Sequence, residues 1–116
     1  MKFIYYYISI HSDDYTRKVE SSVLEQFLIS SLGFNKTSHL RFWKEISGER
    51  IYVKGISAEL NGNYAIDTQD GVKEVNLIEI DLPRSIDNIL ELAITGIAVR
   101  IAKEFSWIID EDHGLD

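Results

Sequence analysis

The residues with the most chemistry to offer are three histidines and a scatter of carboxylates. His11 closes a Tyr- and Ile-rich segment, His39 opens the next apolar run, and His113 sits in an acidic tail. If the segments bearing His11 and His39 are neighbouring strands, two imidazoles could share acid–base work on a phosphodiester. Ordinary strand-end histidines in water account for them more simply, because no orienting carboxylate is fixed by the spacing. Glu79 and Asp81 are two apart, so on a strand they share a face and could bind a divalent cation or act as acid and base. Alternation with Ile78, Ile80 and Leu82 offers a plainer reading, acids to solvent and aliphatics to the core. Val75 and Leu77 share the acids' parity, so part of that face must be covered or must touch something. Asp67-x-x-Asp70-Gly71 has too few ligands for a calcium loop and reads as a turn.

No phosphate-binding glycine loop, nucleophile elbow or zinc helix occurs, and cysteine is absent, which excludes disulfides and thiolate zinc sites. No catalytic residue, metal or cofactor is therefore assigned. The formal charge of −7 argues against nucleic acid, whose binders present a basic footprint. The charge is uneven. Glu59, Asp67, Asp70, Glu74, Glu79 and Asp81 crowd residues 57–82 against Lys73 alone, and Asp110, Glu111, Asp112 and Asp116 follow in the tail. Between residues 36 and 54 the sign reverses, with Lys36, Arg41, Lys44, Arg50 and Lys54 against Glu45 and Glu49. Such a surface attracts and orients a basic partner. Trp43 and Tyr52 are the aromatics whose parity suits an exposed anchor, although closing a small second core would equally suit Trp43.

These residues need a scaffold, and 116 residues with 45% hydrophobic content suit one domain, 1–116, fraying over 110–116. Residues 2–10 read as a strand covered on both faces. Val19, Val23, Leu24, Phe27, Leu28 and Leu32 form a helical stripe, entered through Asp14, Thr16 or a Ser22-x-x-Glu25 box and ended by Gly33. Residues 40–46 alternate and return as 51–56. Asn61-Gly62 and Asp70-Gly71 signal further hairpins, leading into 72–82. Pro83 stops that strand and Ser85 caps a second helix, whose small Ala93, Gly96 and Ala98 suggest close packing on the sheet. The expected fold is α+β: a largely antiparallel or mixed sheet with two helices on one face, in the order strand, helix, strands, helix. The longest apolar stretch is too short to span a membrane and the N-terminus lacks signal-peptide features, so a cytoplasmic location is expected.

In size, acidity and α+β layout over the whole chain, the sequence resembles bacterial immunity proteins, including those of contact-dependent growth inhibition systems, and more distantly antitoxins and phage-encoded inhibitors. No shared motif carries the resemblance and it transfers no specific residue. It implies a cytoplasmic inhibitor that neutralises a basic toxin domain of the nuclease kind. The partner-binding set would be Glu59, Asp67, Asp70, Glu74, Glu79, Asp81, Asp110, Glu111 and Asp112, with Trp43 and Tyr52 as anchors. Two other classes stay open: a small enzyme or ligand-binding domain with a pocket between sheet and helices, and a homo-oligomeric subunit joined through the face carrying Trp43, Val75 and Leu77.

Overall fold

The computed structural model describes residues 7–59, 71–83 and 86–110. The elements are β1 (Tyr7–His11), β2 (Val19–Glu20), α1 (Ser21–Gln26, continued by a π-helical stretch Phe27–Ser31), β3 (Asn35–Ser38), β4 (Arg41–Ile46), β5 (Glu49–Ile56), β6 (Glu74–Val75), β7 (Leu77–Asp81), α2 (Asn88–Phe105) and β8 (Ile108–Asp110). Six strands form one sheet in the order β3-β4-β5-β7-β1-β8, and β2 pairs with β6 apart from it. Every described pairing is antiparallel, which removes the mixed option and leaves the α+β expectation standing. Strand β1 is paired on both sides, with β7 on one and β8 on the other, but it lies next to the end of the sheet order and not at its centre.

Alternation divides the sheet into two faces. Ile8, Ile10, Phe42, Ile51, Val53, Ile78 and Ile80 join Leu24, Leu28, Leu90, Ile94, Ile97 and Ile101 of the helices in the main core. Removing this apolar surface from water is the largest favourable contribution to the fold. Gly55 lies where α1 presses on the sheet. A Cβ there would come within 3.0 Å of Leu24 Cδ2 and 3.1 Å of Leu40 Cδ2 and Val75 Cγ1.

Among the described residues, the second face carries no helix. Its lower end holds a small cluster of Tyr15, Ile56, Ala58 and Leu77. The parity expectation fails at Asn76, between β6 and β7. Val75 points into the main core and Leu77 into the small cluster. Asn76 is buried and makes the break tolerable: its Oδ1 accepts from Ala58 N at 2.7 Å, and its Nδ2 donates to Ala58 O at 2.8 Å and Tyr15 O at 3.0 Å. (The last of these bonds reaches the loop after β1.)

Several local expectations are corrected. Helix α1 begins at Ser21 after Glu20, with no side-chain cap, and Asp14 instead accepts from Thr16. Val19 belongs to β2, and Val23 is exposed, so neither lies in the helical core stripe. The cap of α2 is Asp87, whose carboxylate accepts from Leu90 N at 2.7 Å; Ser85 lies outside the described residues, as does the Asn61-Gly62 turn. Gly96 does not pack against the sheet. It sits on the outer side of α2, where a Cβ would meet nothing within 4 Å, while Ala98 is buried. Ile89, Leu92 and Val99 share that exposed side. Asp110, expected at the start of a frayed tail, ends strand β8.

The two glycines should therefore respond oppositely to alanine. Gly55→Ala should destabilise the protein by about 1–3 kcal/mol through overpacking. Gly96→Ala should stabilise it by about 0.5–1 kcal/mol, the helix-propensity difference at an open site. Denaturant unfolding of both variants checks the pair.

Candidate functional site

The helix-free face is organised in register rows. One row runs Asp110, Ser9, Glu79, Lys54, Arg41 across β8, β1, β7, β5 and β4. The next runs Tyr7, Asp81, Tyr52, Trp43, Asn35 across β1, β7, β5, β4 and β3. These positions meet because alternate residues of paired strands face the same way, at roughly 4.5–5.5 Å between directly opposed Cβ atoms. Of the acids and bases that the sequence separates by segment, Glu79, Asp81 and Asp110 lie towards one end of this surface and Lys54 and Arg41 towards the other. Acid occupies the β7–β1–β8 end and base the β4–β5 end.

Glu79 is not a solvated strand residue. It is only 5% exposed, and Lys54 Nζ stands 3.5 Å from its carboxylate. Burying a carboxylate without a cation nearby is strongly unfavourable, so this contact is a condition of the arrangement. Asp81 is partly buried, and loss of water raises its carboxyl above the ordinary aspartate value, with Lys54 and Arg41 pulling the other way. The phenols of Tyr7 and Tyr15 are raised by burial and then by the negative charges around them, which include Glu79 and Asp110.

His11 is buried and stacks on Tyr15 with ring centroids 4.0 Å apart. Its Nδ1 donates to Ser12 O at 2.6 Å, and its Nε2 lies 3.4 Å from Asp110 Oδ2. His39 is elsewhere. Its Nε2 donates to Val72 O at 2.6 Å, near the start of α1. The strands that flank the two histidines, β1 and β4, are three strand spacings apart, roughly 14 Å, so they form no acid–base pair. Ser9, which no motif in the sequence singles out, is fully buried between Glu79 and Asp110. Among the described residues, its Oγ is the one buried side-chain oxygen with no hydrogen-bond partner.

The expected anchors come together. Trp43 and Tyr52 are opposed across β4 and β5, Tyr52 is 45% exposed, and the Arg50 guanidinium lies over the Trp43 ring at 4.3 Å from its centroid. Of the acids, Glu59 and Glu74 are exposed and Asp81 and Asp110 half-buried. Asp67, Asp70, Glu111 and Asp112 lie outside the described residues. Among the described residues, no group of three His, Cys, Asp or Glu side chains is placed to hold a metal ion, and no helix is long and apolar enough to cross a membrane. The sequence matches no protein-family model, no curated protein and no solved structure.

Asp81 gives a test of sign. A carboxyl raised in the folded state favours folding most below the unfolded aspartate value, near pH 3.8, and that contribution is lost as pH rises through the higher folded value. Asp81→Asn should therefore raise the melting temperature at pH 7, with the gain shrinking towards pH 4. An equal or lower melting temperature at pH 7 would show that Lys54 and Arg41 outweigh the burial.

Proposed function

We propose that the protein is an inhibitor of the immunity type, which neutralises a basic toxin domain of the nuclease kind by docking its helix-free sheet face on it. The observation that carries this reading is the arrangement of that face. Two cross-strand aromatics, Trp43 and Tyr52, stand in the same row as Asp81, beside a second row that holds Glu79 on β7 and Asp110 on β8. Aromatic anchors of this kind supply much of the binding energy at protein interfaces.

The charges contribute orientation. A cleft that holds phosphates is basic, and the β7–β1–β8 end, with exposed Glu59 and Glu74 elsewhere on the surface, would draw it in. The Arg41, Arg50 and Lys54 end would repel the same cleft, which favours one docking direction. Glu79 is too buried to steer association from a distance, so Asp81 and Asp110 are the acids of this face that a partner meets first. On this reading the protein acts in the cytoplasm, needs no cofactor and performs no catalysis.

Capture from host lysate on tagged protein, washed at low and then high salt, followed by assay of the captured protein, tests the proposal. One basic protein should be retained in stoichiometric amount and weakened by salt, and its nuclease activity should fall as this chain is added. Replacing both anchors, Trp43→Ala with Tyr52→Ala, should weaken binding at least tenfold. Unchanged binding in that variant, or full nuclease activity in the presence of excess chain, would contradict the reading.

A further inference from the structure

We propose that Ser9, Glu79 and Asp110 form a recognition site for a single lysine ammonium of the protein partner. The inference rests on the partner-binding reading above and names the group that would enter this part of the face. The first observation is the row itself. Ser9 is directly opposed to Glu79 on one side and to Asp110 on the other. The second is independent of the acids: the Ser9 side chain is 0% exposed, and its hydroxyl has no hydrogen-bond partner. A buried hydroxyl left without a partner is disfavoured, because it has given up water and gained nothing in exchange.

The chemistry of the row selects the ligand. It presents a hydroxyl oxygen between two carboxylates. An ammonium has three N–H donors and no acceptor, so it can give one hydrogen to each of these groups. The Ser9 O–H then remains available to donate to a neighbouring carboxylate. A guanidinium is planar and suits a bidentate carboxylate better than three acceptors on three strands. An anion would face two carboxylates. Lys54 stands beside Glu79 on the far side, away from Ser9, so the row already shows a lysine on one of these acids.

The approach is over the sheet edge. Among the described strands β8 is the outermost, and the Asp110 side chain is 30% exposed there, next to fully enclosed Ser9. An incoming lysine would meet Asp110 first and carry its aliphatic stem over the strand while the charge reaches Ser9. Asp110 also faces His11 Nε2 at 3.4 Å, so occupation of the site would shift that contact.

The test uses the whole chain and n-butylammonium chloride as a lysine side-chain mimic, with tetramethylammonium chloride at equal ionic strength as control. Backbone amide shifts of Ser9, Glu79 and Asp110 are followed by NMR. Butylammonium should produce saturable shifts at all three, and tetramethylammonium, which has no N–H, should not. Ser9→Ala and Asp110→Asn should each weaken the apparent affinity at least fivefold while the spectrum stays dispersed. Absence of saturable shifts, equal shifts with tetramethylammonium, or unchanged affinity in Ser9→Ala would overturn the site. The same Ser9→Ala variant in the lysate capture separates this claim from the broader one. Butylammonium binding without capture of a basic protein supports the site and removes the inhibitor reading. Capture unaffected by Ser9→Ala, with no response to butylammonium, removes the site and leaves that reading intact.

Discussion

Burying Glu79 at the middle of a six-stranded sheet demands a cation beside it, and Lys54 supplies one from the adjoining strand. Much of the helix-free face follows from that contact. A carboxylate enclosed between Ile78 and Ile80 on β7 would otherwise have lost its water with no opposite charge beside it. With Lys54 opposite it, the strand can keep Ile78 and Ile80 in the main core without exposing the acid. The pairing fixes which residues of β5 and β7 face each other, because a slip of one residue would turn Lys54 towards the helices and Val53 away from them. It also places Tyr52 beside Asp81 in the next row.

The two faces do different work. On one, aliphatic side chains of five strands close against α1 and α2 and provide stability. On the other, charge and aromatic surface are laid out from the β4–β5 hairpin to the β8 edge. The lower end of that face is closed by Tyr15 and Ala58, held in place by Asn76 and by the stack of His11 on Tyr15. The accessible part includes the band through Tyr7, Asp81, Tyr52 and Trp43, with Asp110 partly exposed on β8. A binding protein gains from such a division, since the rigid core holds the anchors in position before the partner arrives and little ordering is left for association.

Much of this was legible in the chain. The alternation over residues 40–46 and 51–56 gives the hairpin, and it correctly puts Trp43 and Tyr52 on one side of it. The need for a cover over Leu77 was also legible, from its shared parity with Glu79. Other features were hidden for physical reasons. Strand order cannot be read from periodicity, so the separation of His11 from His39 emerged only when β5 and β7 fell between β1 and β4. Parity carries through an unbroken strand and is lost at Asn76, where the backbone is held by side-chain bonds to Ala58. The small residue that admits a close approach is Gly55 in a strand rather than Gly96 in a helix, because helix α1 presses on β5. Ser9 carried no signal at all, since a serine in an apolar strand becomes informative only once its neighbours across the sheet are known.

The most direct test of the central claim is a map of backbone hydrogen exchange on the chain, free and bound to the basic partner captured at low salt. Binding through the sheet face should bring new protection along β4, β5, β7 and β8, centred on Trp43, Tyr52, Asp81 and Asp110, with the outer side of α2 unchanged. Protection confined to Ile89, Leu92 and Val99 on α2, with the sheet face exchanging as in the free protein, would contradict it.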